Sequence, residues 1–164
     1  MREQLKEKFS KIKLFIMDVD GTLTDGKIYL THEGQEMKAF HVKDGMGIKI
    51  LQKHGILPVV ITGRTSNIVN IRAKELNISE IYQGVRIKLE IYKELKEKYH
   101  LKDENIAYIG DDLNDLEIMK QVGVKFAVGD AIEEIKEIAD YVTNAKGGEG
   151  AVREAIEWMI KNYG

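Results

Sequence analysis

The sequence predicts a doubly wound α/β fold: a Rossmann-like parallel sheet with helices on both faces and a small β-hairpin inserted after the first strand. Two observations predict the sheet. Short apolar runs of strand length alternate with amphipathic stretches of helical period. The runs are apolar continuously, which is the pattern of strands buried on both faces. A third observation predicts the insertion, because the segment after the first run breaks this rhythm with β-like pieces around a glycine-containing turn.

The strands are assigned to Leu14–Met17, Leu57–Ile61, Ile106–Ile109 and Val124–Val128, each ending at Gly, Asp or Thr. Pro58 opens its strand, where a missing N–H is tolerated. The hairpin, about residues 27–42, sets Lys27–Leu30 against Glu36–Val42 around Thr31–Gln35, with Gly34 at positive φ. Helical patterns cover Met46–His54, Ser66–Leu76, Ile87–Tyr99, Leu113–Val122, Ala131–Ala139 and Ala151–Asn162. The last places Val152, Ile156, Met159 and Ile160 on one face. Between Arg64 and Lys88 there is room for one helix and a short strand.

Without repeats or a Pro-, Gly- or Ser-rich linker, residues 1–164 read as a single domain, a length that buries a sizeable core. The 25 basic and 27 acidic residues give a net charge of −2, so no basic field gathers nucleic acid or anionic lipid. No apolar run approaches the roughly 18 residues of a membrane span. The opening Met1–Lys13 alternates charge with apolar residues and lacks a signal-peptide core, so a cytoplasmic protein is the default expectation. The absence of cysteine excludes disulfides, thiolate metal sites and a cysteine nucleophile.

In open α/β sheets function gathers at the carboxyl ends of the strands, and here those ends are polar. The first strand runs into Asp18-Val19-Asp20-Gly21-Thr22. Two carboxylates at i and i+2 can flank one small electrophile, one attacking while the other moves a proton. Ile106–Ile109 runs into Gly110-Asp111-Asp112-Leu113-Asn114-Asp115. Capping explains one of its three carboxylates and not all three. Clustered carboxylates without His or Cys suit a hard cation held by oxygens, which favours Mg²⁺ over zinc. Thr62-Gly63-Arg64 offers a hydroxyl and backbone N–H groups at a helix start, which suits a phosphate. Lys88 begins a long helix, where position alone does not separate a site lysine from a solvated one.

Together and in this order, these pieces resemble the haloacid dehalogenase-like phosphatase superfamily, whose four motifs match Asp18–Thr22, Thr62, Lys88 and Gly110–Asp115. The resemblance implies a Mg²⁺-dependent phosphatase that forms a transient phosphoryl-enzyme on Asp18. Asp20 would protonate the leaving oxygen and then deprotonate the hydrolytic water. Asp18, the Asp20 backbone carbonyl and Asp111 would bind the metal, and Thr62 and Lys88 would hold the phosphoryl oxygens. Asp112 and Asp115 would orient Lys88 or metal-bound waters.

Superfamily members acting on small metabolites usually carry a cap domain, after the first motif or between the second and third. Neither Asp25–Asp44 nor Arg64–Lys88 is long enough for one. The capless layout is similar to the 3-deoxy-D-manno-octulosonate 8-phosphate phosphatases of lipopolysaccharide precursor synthesis, which are tetramers. Asp18–Gly26, Lys38–Gly45, Ile61–Arg64, Tyr82–Gly84 and Gly147–Glu154 carry the similarity. It implies a homotetramer acting on an acidic sugar phosphate. Substrate contacts would fall on Asp20, His41, Val42, Lys43, Asp44, Gly45, Lys49, Arg64, Arg72 and Lys88.

Arg64 and Arg72, about two helical turns apart, could span different parts of an extended acidic sugar. The alternative for Arg72 is a solvated face, and for His41 a plain strand position. A neighbouring subunit would replace the missing cap, with Tyr29, Met37 and Phe40 of the hairpin as a contact surface; the alternative is an ordinary sheet-edge hairpin. Glu149 stands where many of these phosphatases have Arg, and no long tail follows the last helix. The resemblance therefore gives no basis for a basic tail closing a neighbouring site. Two rival readings share the scaffold: a nonulosonic acid 9-phosphate phosphatase, and a non-catalytic tetramerisation module. Retention of Asp18, Asp20, Lys88 and Asp111 favours catalysis.

Overall fold

The structure, a computed structural model, describes residues 2–163. Helix α1 (Arg2–Ser10) leads into β1 (Leu14–Met17), whose four residues are all buried. The antiparallel pair β2 (Tyr29–Leu30) and β3 (Glu36–Met37) follows, then α2 (Val42–Lys53), β4 (Leu57–Ile61), α3 (Asn67–Glu75) and β5 (Glu80–Tyr82). The second half runs α4 (Lys88–Tyr99), β6 (Ile106–Gly110), a 3₁₀ turn (Leu113–Asp115), α5 (Leu116–Met119), β7 (Val124–Ala127), α6 (Glu133–Ile138), β8 (Tyr141–Val142) and α7 (Ala151–Tyr163).

Six strands pair in parallel in the order β5-β4-β1-β6-β7-β8. From β1 the chain builds outward through β4 and β5, then returns to set β6 on the other side of β1. At this reversal the connections leaving β1 and β6 diverge and open a crevice over their carboxyl ends. Met17 lies beside Val60 on one side and Ile109 on the other, so the polar residues after all three strands emerge at one level. No inserted domain lies between α2 and β1 or between α3 and α4 among the described residues; the expected capless layout holds.

Three expectations need correction. The segment Glu36–Val42 is strand only at Glu36–Met37, and α2 starts at Val42, four residues before the expected Met46. His41 is extended and its Nδ1 accepts the Lys43 N–H at 3.1 Å, a side-chain cap on the helix. Glycines obscured this start, since glycine is a poor helix former. Gly45 is kept small by a neighbour: a Cβ there would lie 2.7 Å from Arg72 Nη2. The stretch Leu113–Val122 is a 3₁₀ turn followed by only a short α5. Gly34 has the expected positive φ, +81°.

Helix α1 was not among the expected helices. At nine residues it is too short to be stable alone. Tertiary burial holds it: Phe9 is fully buried with its ring edge-on to Trp158 at 5.2 Å, and Trp158 stacks on Tyr141 at 4.5 Å. Burying one such phenyl group stabilises by about 1.5–3 kcal/mol.

Candidate active site

The turn after β1 is wound tightly. The N–H groups of Thr22, Leu23 and Thr24 all donate to the Val19 carbonyl, at 3.1, 2.9 and 3.1 Å. Thr24 Oγ1 accepts from the Gly21 and Gly26 N–H groups. Gly21 has φ +87°, and a Cβ there would sit 1.9 Å from Asp111 Oδ2. Only glycine lets the backbone cross so close to that carboxylate. The loop after β1 and the loop after β6 are thereby pressed together, with Thr22 Oγ1 donating to Asp111 Oδ1 at 3.4 Å.

Asp115 is fully buried and fully engaged. Its Oδ2 accepts the Asp111 and Asp112 N–H groups at 2.9 and 3.2 Å. Its Oδ1 accepts from Lys88 at 2.8 Å and from the Tyr108 hydroxyl. The Lys88 ammonium reaches on to Asp18 Oδ1 at 2.9 Å. Asp112 caps the 3₁₀ turn, its Oδ1 accepting the Leu113 N–H at 2.7 Å.

Asp18, Asp111 and Asp115 each place a carboxylate oxygen within 4.8 Å of the others. Burial first, then the charge of Asp115, raises the Asp18 pKa well above the usual carboxylate range, even against the Lys88 charge. Burial first, then Asp18 and Asp115, raises Asp111. Burial disfavours the Lys88 charge, but Asp18 and Asp115 outweigh it and raise its pKa. Negative charge is therefore concentrated here beyond what one lysine offsets, as expected where a cation belongs. Four donors already occupy Asp115, which makes it a poor ligand. Asp18 and Asp111 keep the free oxygens, and an all-oxygen donor set fits Mg²⁺.

A cleft of about 430 Å³ opens over this cluster, lined by Asp18, Asp20, Thr62, Arg64, Asp111 and Asp112 among others. Lys88 and Asp115 do not line the cleft; both are buried behind it, Lys88 bonded to Asp18 and Asp115 to the Asp111 N–H. Other expected contacts lie outside the cleft. His41, Asp44, Gly45 and Arg72 line a separate, nearly filled cavity of about 20 Å³ with Phe40. Val42, Lys43 and Lys49 are exposed on α2. Asp44 instead ties α2 to α7, its Oδ1 accepting the Arg153 N–H at 2.9 Å. Phe40 turns inward, with the Arg72 guanidinium carbon 5.7 Å from its ring centroid. The hairpin presents Ile28, Tyr29, Leu30 and Met37 to solvent in its place.

Two polar residues at the site were not foreseen. Lys38 donates to Asp20 Oδ1 at 2.6 Å and to Glu36 Oε1 at 3.0 Å, and Arg64 donates to the same Glu36 oxygen at 3.2 Å. The Lys38 bond holds the Glu36 carboxyl below its usual pKa. Tyr108 meets both Lys88 and Asp115. The available signal was a single hydroxyl in the otherwise apolar run of β6.

The fold and this cluster define a hydrolase built on paired strand-end carboxylates, and comparison with known proteins agrees. A family model described as haloacid dehalogenase-like hydrolase matches residues 65–156. The 3-deoxy-D-manno-octulosonate 8-phosphate phosphatase of Escherichia coli K12 is 44% identical over 157 residues, 96% of this chain and 84% of the relative. A crystal structure of the Moraxella catarrhalis enzyme of that name, in complex with magnesium ion, phosphate ion and KDO, superposes with a TM-score of 0.93 at 44% identity. It covers 98% of this chain and 92% of the other. The cobalt-bound Haemophilus influenzae phosphatase gives 0.90 at 38% identity, over 95% and 91%. The chain belongs to the 3-deoxy-D-manno-octulosonate 8-phosphate phosphatase family of haloacid dehalogenase-like hydrolases.

Proposed function

We propose that this enzyme is a Mg²⁺-dependent phosphomonoester hydrolase that converts 3-deoxy-D-manno-octulosonate 8-phosphate to the free sugar acid and phosphate, a step in making lipopolysaccharide precursor. The observation that carries the chemistry is the Lys88 ammonium shared between Asp18 and Asp115 beneath the cleft. The names of the relatives support the substrate.

An oxygen of Asp18 attacks phosphorus as the P–O bond to the sugar breaks. The electron pair stays on the departing sugar oxygen, which takes a proton from Asp20. Water then attacks phosphorus and gives a proton to Asp20 as the bond between phosphorus and the Asp18 oxygen breaks; the electron pair returns to the Asp18 carboxylate, phosphate leaves, and the Asp20 acid is restored. Thr62 and Lys88 hold the phosphoryl oxygens where negative charge develops. Asp18, Asp111 and the Asp20 carbonyl would hold Mg²⁺, which offsets repulsion between carboxylate and phosphate. Asp115 and Tyr108 fix Lys88 from below. Arg64, at the rim, takes an anionic part of the sugar acid.

The proposal extends to a homotetramer in the cytoplasm, in which a neighbouring subunit covers the open cleft. Exposed Ile28, Tyr29, Leu30 and Met37 on a two-stranded hairpin support such a contact. Turnover of a sugar-phosphate panel by wild type and Asp18→Asn tests the core of the reading. Wild type should prefer the eight-carbon acid and lose activity to EDTA, recovering it with Mg²⁺. Substantial turnover by purified Asp18→Asn would sink the phosphoryl-aspartate mechanism.

A further inference from the structure

Lys38 occupies an unusual position for a hairpin lysine. Its side chain is 3% exposed, although the strand beside it presents Met37 to solvent. Its ammonium bridges two carboxylates, Asp20 Oδ1 at 2.6 Å and Glu36 Oε1 at 3.0 Å. Asp20 follows β1 and Glu36 lies on β3, so one cation joins the catalytic loop to the insertion.

The geometry has a consequence for proton transfer. A carboxyl group acting as an acid carries its proton on one oxygen, and a group free to rotate about two χ angles seldom points that oxygen at the leaving group. An ammonium cannot accept a hydrogen bond, so the oxygen facing Lys38 is held in the accepting role. With Oδ1 so engaged, Oδ2 is the oxygen left to carry the proton, and the side chain is anchored at the cleft wall that Asp20 helps to form. Glu36 anchors the ammonium from behind and is itself tied to Arg64 at the cleft rim.

We infer that Lys38 is a positioning residue for proton donation, holding Asp20 so that Oδ2 delivers the proton to the departing sugar oxygen. The inference rests on the acid/base role proposed above for Asp20. It makes the hairpin part of the catalytic apparatus.

The test uses leaving groups of different basicity. An alkyl phosphate needs the proton as its P–O bond breaks, whereas p-nitrophenyl phosphate expels a stabilised anion and needs it far less. The quantity to compare is kcat/KM, which reports steps up to the first irreversible transfer. Lys38→Met keeps length and loses the donor. Its kcat/KM should fall at least about tenfold further for the sugar phosphate than for p-nitrophenyl phosphate, a part of the 10²–10⁴ that general acid catalysis supplies. Lys38→Arg, which keeps a cationic donor, should bring that ratio to within about threefold of wild type. A merely structural loss lowers both substrates alike. Equal losses, or none, would overturn the role of Lys38. Asp20→Asn, measured in parallel, separates the two readings. Selective loss in Asp20→Asn without one in Lys38→Met removes Lys38 alone, while an Asp20→Asn enzyme with undiminished sugar-phosphate turnover removes the acid/base assignment itself.

Discussion

Lys88 and Asp115 form a buried ion pair at 2.8 Å in which the carboxylate is saturated by protein donors while the ammonium is still free to reach Asp18 at 2.9 Å. Asp115 thus acts on the lysine rather than on a ligand. Lys88→Met should lower kcat/KM at least about a hundredfold, because the charge proposed to hold the phosphoryl oxygens is lost. It should also destabilise the fold by about 3–5 kcal/mol, since two buried carboxylates lose their common partner. Steady-state kinetics and urea unfolding of the variant check the two effects separately. An unchanged unfolding midpoint would contradict the pairing.

Gly21 is the second point of attack. An alanine Cβ at φ +87° would collide with Asp111 Oδ2, so Gly21→Ala must push the Asp111 carboxylate out of place. The expected result is a kcat loss of about tenfold or more, equivalent to ~1.4 kcal/mol. The Mg²⁺ concentration for half-maximal activity should rise as well. A Mg²⁺ titration that coincides with wild type would show that Asp111 does not hold the ion.

Arg64 should separate recognition from chemistry. Its side chain is 49% exposed and donates to Glu36, so it can exchange that carboxylate for one on the substrate. Arg64→Ala should raise KM for 3-deoxy-D-manno-octulosonate 8-phosphate about tenfold or more, the loss of a charge-assisted bond of ~1.5–3 kcal/mol. A small aryl phosphate without a distal carboxylate should be much less affected. Equal losses on both substrates would assign Arg64 to the phosphoryl group.

Asp44 makes stability depend on pH. Burial, the dominant cause, raises its pKa, while the Arg153 main chain, His41, Arg72 and the Arg153 side chain partly offset it; Oδ2 has no hydrogen-bond partner among the described residues. The folded protein therefore holds this proton more tightly than the unfolded chain. The resulting stabilisation is full below the unfolded value of about 3.9 and is lost as pH rises through the folded pKa. Asp44→Asn removes the titration and keeps an acceptor for the Arg153 N–H. Between pH 4 and pH 7 the variant should gain stability relative to wild type, as read from urea unfolding of both. Parallel curves would refute the assignment.

The sequence by itself determined the sheet and named the candidate reacting groups. Continuous apolar runs at Leu14–Met17, Leu57–Ile61 and Ile106–Ile109 are local signals, and so are carboxylates and glycine immediately after a strand. The reversal of strand order then brings Asp18 and Asp111 to one crevice. Only the tertiary structure decided the contacts between distant segments. Helix α1 exists because Phe9 finds Trp158, and α2 begins at Val42 because His41 caps it beside an Arg72 that keeps Gly45 small. The inward turn of Phe40, the separate cavity holding Asp44 and Arg72, and the Lys38–Asp20 bond depend on how the hairpin packs, which no local periodicity encodes. A lysine in an exposed hairpin looks the same in sequence whether it is solvated or pressed against the Asp20 carboxylate. Burial and distance alone tell them apart.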